Sequence, residues 1–314
     1  MYTDITVVIR SSGELTTQVC YNLVCKQVPK EQVFIINERP FSKAVIKNFN
    51  IGLRENRKWT LGLDADILLT ENAISEMIKG FEELDENYYV YQGWVYDKFF
   101  RNYRSGGPHL YRTSLLEKAK EFIPKEGTNL RPESTTYKGM AKINYHYYND
   151  IKCFGLHDFE QSYFAIYRKF FLHAHKHTHY LATFLSIWKP FLLEDVDYLI
   201  ALRGLTDGLL FKETVYVDTE FFKSKSEQLF KELKLVEKTE NFNSDGVLEL
   251  LNRIPNTESW ERMQKFPSHY IKDSQFLERI NNYTPSLKRR FFKKIKLLLE
   301  KTVKQIDQSI NNTL

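Results

Sequence analysis

Lys58-Trp59-Thr60-Leu61-Gly62-Leu63-Asp64-Ala65-Asp66-Ile67-Leu68-Leu69 is a short apolar run broken by two carboxylates one residue apart. Side chains alternate along a strand, so Trp59, Leu61, Leu63 and Ala65 are predicted on one face and Asp64 with Asp66 on the other. Two acids that share one point in space repel unless a cation or a proton lies between them. Hard oxygen ligands at a strand end suit Mg²⁺ or Mn²⁺ carrying a substrate diphosphate. The stretch therefore predicts a nucleotide-sugar site. A chain of this length holds about one Asp-x-Asp by chance, and a second copy stands at Asp195-Val196-Asp197. That copy precedes Tyr198-Leu199-Ile200-Ala201-Leu202 and reads as acids in a helix's first turn.

Working outward, Ile5 to Ile9 reads as a buried strand that leaves through Arg10-Ser11-Ser12-Gly13-Glu14. Leu15, Val19, Leu23 and Val28 follow at helical spacing. Val33 to Ile36 is a second strand, and Ser42 is the expected cap of a helix carrying Ile46, Phe49 and Leu53 inward. After the Asp64 strand, Thr70 is the expected cap of a third helix with Ile74, Met77, Ile78, Phe81 and Leu84 on one face; Tyr88 to Tyr91 resumes strand. Strands alternating with helices imply an α/β fold with a mostly parallel sheet covered on both faces, its ligand beyond the carboxyl ends of the strands. Those ends carry Arg10 to Glu14, Glu38 with Arg39, and Asp64 with Asp66.

Composition narrows the classes. The 314 residues are 42% apolar, ample for a core. Residues 288 to 304 hold eight Lys or Arg against Glu300, a local +7, so the remainder of a chain at +5 is −2 and offers no nucleic-acid groove. Cys20, Cys25 and Cys153 lack zinc spacing, and the first two are expected in the core, which with the lack of a signal peptide points to a reduced, cytoplasmic compartment. No stretch is apolar for long enough to cross a bilayer. No Gly-x-Gly-x-x-Gly or Walker-type loop is present, against dinucleotide oxidoreductases and P-loop enzymes.

The first hundred residues resemble the GT-A glycosyltransferases, particularly the large family that includes bacterial surface-polysaccharide enzymes. The resemblance rests on the strand Ile5 to Ile9, on Pro40-Phe41-Ser42-Lys43-Ala44 with Asn48, Asn50 and Gly52, and on Leu63-Asp64-Ala65-Asp66-Ile67-Leu68. It implies that the loop after the first strand and the acid after the second hold base and ribose, while Asp-x-Asp holds the metal diphosphate. Arg10, Ser11, Glu14, Glu38, Arg39, Lys43, Asp64 and Ala65 become nucleotide-site candidates, with Asn37-Glu38 in place of the family's usual Asp. Asp64 and Asp66 become metal ligands for Mn²⁺ or Mg²⁺.

Beyond residue 95, Phe99 to His109 reads as a loop whose Gly106-Gly107 pair is either an acceptor-side approach or a plain turn, and residues 124 to 150 as an irregular excursion. Cys153-Phe154-Gly155-Leu156-His157-Asp158-Phe159-Glu160-Gln161 follows a short strand and opens a long helix. The resemblance places the catalytic base here: Asp158 to deprotonate the acceptor, Glu160 to hydrogen-bond it, and His157 as a further metal or phosphate contact. The bland alternative is an acidic helix cap. His173, His175, His177 and His179 lack an accompanying carboxylate and read as a solvated or acceptor-facing helix end. The rings from Tyr163 to Trp188 read mostly as core.

The expected organisation is a catalytic domain over 1–220, split near residue 100 into nucleotide and acceptor halves, and a helical region over 221–314. Phe291, Phe292, Ile295, Leu298, Leu299, Val303 and Ile306 form an apolar stripe flanked by basic residues, which either packs on the domain or docks residues 288–306 on an anionic membrane surface. The expected activity is metal-dependent, inverting transfer of a sugar from a UDP-linked donor to a hydroxyl of a glycan or lipid-linked acceptor. The alternatives are a nucleotidyltransferase of similar fold and a non-catalytic glycan- or membrane-binding module.

Overall fold

The computed structural model describes residues 1–125, 131–176, 180–213, 215 and 219–239. The stripe at 288–306, His177 and His179 lie outside them. In chain order the strands are β1 (Ile5–Arg10), β2 (Val33–Ile36), β3 (Trp59–Asp64), β4 (Ile67–Leu69), β5 (Tyr88–Asp97), β6 (Asn102–Arg112) and β7 (His146–His157). The helices are α1 (Thr17–Cys25), α2 (Phe41–Glu55), α3 (Ala73–Glu82), α4 (Leu116–Lys120), α5 (Pro132–Lys142), α6 (Tyr163–Lys176), α7 (Leu181–Trp188), α8 (Val196–Leu210) and α9 (Thr219–Glu232).

The strands form one sheet in the order β2-β1-β3-β6-β5-β7-β4. β1 pairs parallel with β2 and β3, and β5 pairs parallel with β7; the antiparallel pairings are β3 with β6, β6 with β5, and β4 with β7. Hence β2, β1, β3, β5 and β7 run one way and β6 and β4 the other. The α/β architecture with a mostly parallel sheet is as expected. Alternation sets the layers. Ile5, Val7 and Ile9 pack with Leu23 of α1 and Met77 and Phe81 of α3, while Val8 faces Ala44 and Ile51 of α2 on the opposite side. A third cluster joins Phe99 to the aromatic faces of α6, α7 and α8, and Phe222 and Leu229 of α9 belong to it. The helical region past residue 221 thus begins inside a core shared with α6.

Several local expectations give way. The residue preceding α2 is Pro40 and that preceding α3 is Asn72; neither Ser42 nor Thr70 caps its helix, and Thr70 Oγ1 donates to Phe154 O at 3.3 Å. Ile46 is 38% exposed. Of the cysteines, Cys20 is buried and Cys25 half-buried. The supposed loop at 99 to 109 is mostly strand β6, which pairs with β5 across a bulge between Gln92 and Trp94. Gly106 has φ +122°, and a Cβ on Gly107 would lie 3.0 Å from Gly93 O, so this glycine serves close strand packing. The supposed excursion contains α5, started by Pro132 in its first turn, and the opening of β7. The segment Tyr163 to Trp188 is split between α6 and α7. Asp195 caps α8 by accepting from Asp197 N at 2.9 Å, as its sequence position implied.

Candidate active site

The carboxyl ends of β1, β3, β5 and β7 meet at one crevice. Arg10 ends β1 and is 5% exposed. Its Nε lies 2.8 Å from Asp64 Oδ1, and its Nη1 donates to Glu133 Oε1 of α5 at 2.6 Å. Burial opposes the guanidinium's charge, but Asp64 and Glu133 hold it protonated. Ala65 N donates to Arg10 O at 3.0 Å, and Thr16 Oγ1 donates to Ala65 O at 2.7 Å. These bonds turn the chain between β3 and β4. Asp64 and Asp66, expected to share one point, therefore face different partners: Asp64 meets Arg10, and Asp66 meets the loop after β7.

That loop closes a second charge cluster. Asp158 N donates to Asp66 O at 3.2 Å, and Asp158 adopts a left-handed backbone at φ 60°, a strained conformation for a non-glycine residue. His157 Nδ1 lies 2.8 Å from Asp97 Oδ2 and 3.0 Å from Asp158 Oδ2, and its Nε2 lies 3.6 Å from Asp66 Oδ2. Lys169 of α6 hydrogen-bonds Asp158, its Nζ 3.8 Å from Asp66 Oδ2. Arg104 Nε donates to Asp97 Oδ2 at 2.5 Å. Burial alone would pull His157 down, but Asp158 and Asp66 overcome it and push it up to about 9, so the ring is protonated at neutral pH. Burial would raise Asp158, and His157 with Lys169 overcome it and hold the carboxyl well below its usual range. Asp66 goes the other way. Burial, with Asp158 and Asp64 adding to it, outweighs His157 and Lys169 and raises it to about 6. Asp66, Asp97 and Asp158 are thus offset by Lys169, Arg104 and protonated His157.

Among the described residues Asp66, His157 and Asp158 form a group able to hold a metal, each offering an atom within 4.8 Å of the others. The set fits a divalent ion that displaces the His157 proton: two carboxylates, the imidazole so freed, and an Asp66 Oδ1 that is buried with no hydrogen-bond partner among the described residues. Lys169 occupies the same cage, so an entering ion displaces a tethered ammonium.

The other predicted residues are distributed around this centre. Ser11 and Ser12 donate to Glu14, closing the β1 loop on itself, and Arg39 Nη2 donates to Ser12 O at 2.6 Å, tying the two nucleotide-side loops together. Glu38 pairs with Lys47 at 3.9 Å, and Lys43 is exposed on α2. Glu160 Oε1 accepts from Lys238 at 2.5 Å, and Glu237 accepts from the amides of Tyr163 and Phe164, so the chain past α9 pins the start of α6. Gly106 and Gly107 lie within β6 rather than in a loop. Asp97, Arg104, Lys169 and Glu133 were not singled out from the sequence. A lone acid ending a Tyr-rich strand and a lysine in an aromatic helix carry no motif; only the ends of β5 and α6, once placed, reveal them.

No family profile and no curated protein matches this chain. Several solved structures are similar to it. A glycosyltransferase involved in the glycosylation of the major capsid of PBCV-1 is 12% identical, with 50% of this chain and 95% of that one covered and a TM-score of 0.36. A mannosyltransferase from Pyrobaculum calidifontis, in complex with GDP-Man and Mn²⁺, is 11% identical over 74% of this chain and 81% of its own, with a TM-score of 0.39. A cytidylyltransferase from Leptospira borgpetersenii is 10% identical over 48% and 76%, with a TM-score of 0.32.

Proposed function

We propose that the chain is a glycosyltransferase that moves a sugar from a nucleoside-diphosphate donor, UDP-linked in the first instance, to a hydroxyl of a glycan or lipid-linked acceptor. The observation that carries this reading is the cage of Asp66, His157 and Asp158 at the strand ends, beside the Arg10–Asp64 pair. Asp66, His157 and Asp158 would hold Mn²⁺ or Mg²⁺. When bound, such an ion would supply charge stabilisation to the leaving diphosphate.

The chain's own residues do the rest. The loops after β1 and β2 receive the nucleoside, their geometry fixed by Glu14 and by the Arg39 bond to Ser12. Arg10 fixes Asp64 at their edge. Asp158 and Glu160 remain the base candidates, each tied to a lysine, and Asp158 can serve as base only where it does not hold the ion. The Asp158 side chain is 1% exposed and that of Glu160 27%, so an acceptor hydroxyl reaches Glu160 more readily, with Lys238 next to it to take up the charge change. A base opposite the leaving group implies inversion at the anomeric carbon. The basic stripe at 288–306 fits a role in bringing the protein to an anionic membrane that carries a lipid-linked acceptor. Among the described residues no helix is long and apolar enough to cross a membrane.

The two transfer chemistries leave different products. Incubation with UDP-, GDP- and CDP-sugars is expected to release the nucleoside diphosphate from one of them, slowly to water and faster once an acceptor glycan is supplied. Pyrophosphate release from a nucleoside triphosphate plus a sugar phosphate, with no nucleoside diphosphate from any sugar donor, would replace this reading with nucleotidyl transfer.

A further inference from the structure

The chain that leaves α9 returns to the site. Lys234 N donates to Lys231 O at 3.3 Å and Leu235 N to Phe230 O at 2.9 Å, with Lys234 in a left-handed backbone at φ 53°. These bonds make a Schellman turn with a lysine where glycine is usual. Phe230 and Leu235 both pack against the aromatic cluster of α6, α7 and α8, which sets the direction in which the chain leaves. Val236 faces solvent, and the next two side chains bind. Glu237 accepts from the first amides of α6, Tyr163 N at 2.7 Å and Phe164 N at 2.9 Å, groups that a helix leaves without internal partners. Lys238 Nζ lies 2.5 Å from Glu160 Oε1 and 2.7 Å from Asp197 Oδ1, over the ring of Tyr163.

Two of the bonds made here do not need Lys238. Asp197, a buried acid in the first turn of α8, takes Lys98 Nζ on its other oxygen at 2.5 Å, so it keeps a counter-ion without Lys238. The start of α6 is capped by Glu237. What Lys238 alone supplies is the orientation of Glu160: among the described residues it is the one hydrogen-bond donor to that carboxylate, and it takes Oε1 and leaves Oε2 open. We propose that Lys238 is a positioning residue that aims Glu160 at the acceptor hydroxyl, which makes the chain past α9 part of the acceptor side of the site. The assignment rests on the glycosyltransferase reading and deepens it. Among the described residues the hydrogen bonds and ion pairs of Lys238 reach neither the loop after β1 nor the loop after β2, so the donor end is independent of it.

Nucleoside diphosphate release by the full chain, from UDP-, GDP- and CDP-sugars to water and to methyl glycosides, is the test. In Lys238→Met, kcat is expected to fall about tenfold to a hundredfold, the usual consequence of misplacing a reacting group by about an ångström, while the donor KM stays at its wild-type value. Lys238→Arg, which keeps the charge and the donors, is expected to retain most of the rate. Asp197 keeps Lys98, so the Met variant is expected to fold; should it not, Lys238→Gln, which keeps a donor without the charge, enters the same comparison. A double variant, Glu160→Gln with Lys238→Met, is expected to be no slower than Glu160→Gln alone, because the lysine acts through that carboxylate. Losses that multiply would give Lys238 a structural role and overturn the proposal, as would full kcat in a folded Lys238→Met; either result leaves the glycosyltransferase reading standing. A wild type that releases no nucleoside diphosphate from any of these donors removes that reading, and the positioning role with it.

Discussion

Asp97→Asn is expected to lower stability by on the order of 3 to 5 kcal/mol, the usual consequence of breaking a buried ion pair from one side. The Asp97 side chain is 1% exposed and accepts from Phe99 N at 2.9 Å, Phe100 N at 3.1 Å, Arg104 Nε at 2.5 Å and His157 Nδ1 at 2.8 Å. The amide can keep part of this set, but it leaves Arg104 and His157 charged beside a neutral group. The sign with pH follows from the shift. Burial would raise this carboxyl, yet Arg104 and His157 hold it well below the usual carboxylate range. Its contribution is therefore complete above pH ~3.8 and is lost as pH falls toward the folded value. Urea midpoints should show a wide gap between wild type and variant at pH 7 that narrows in acid. A gap that stays constant from pH 7 to 3 would mean that Asp97 acts through its backbone bonds alone.

The second large effect is a gain. Lys169 hydrogen-bonds Asp158 with its Nζ 3.8 Å from Asp66 Oδ2, inside the group that fits a divalent ion. Lys169→Met removes one positive charge from a mostly buried position, where charge interactions exceed those in water. Mn²⁺ affinity, read by loss of the free-ion paramagnetic resonance signal, is expected to rise about tenfold to a hundredfold. In EDTA the same variant should melt below wild type because Asp66 and Asp158 lose their counter-ion, and Mn²⁺ should restore the difference. Unchanged Mn²⁺ affinity would show that the ion, if it binds, does so away from the lysine.

The pattern of these residues explains what a reader of the sequence could and could not see. Ile5 to Ile9 and Trp59 to Leu63 announce themselves because buried strands are runs of apolar residues; Val33 to Ile36 reads the same way although it is the edge strand, with Ile35 exposed. Asp66, His157 and Asp158 are visible as acids and an imidazole at strand ends. Their common cage is not, because it depends on β4 reversing after Asp66 to pair with β7. Strand β6 is hidden by Ser105-Gly106-Gly107-Pro108, residues that usually mark turns; here Gly106 takes a positive φ, Gly107 lets β6 approach β5, and the proline falls at the bulge. Thr70 looks like a cap because capping residue types are the same ones that bond neighbouring backbone, and its hydroxyl is used on β7 instead. Lys169 looks like part of the wet side of an aromatic helix, since nothing local distinguishes a cation facing solvent from one facing Asp66, 103 residues earlier in the chain.

The central claim is that the crevice binds a nucleoside diphosphate through the Asp66 end of the cage. It is tested most directly by titrating UDP and GDP into wild type and Asp66→Asn, each with EDTA and with Mn²⁺. One nucleotide is expected to bind wild type more tightly when Mn²⁺ is present, by about tenfold or more, and the variant, still folded by circular dichroism, is expected to lose that increment. Manganese-strengthened binding that survives unchanged in Asp66→Asn, or in the double Asp64→Asn, Asp66→Asn variant, would contradict it.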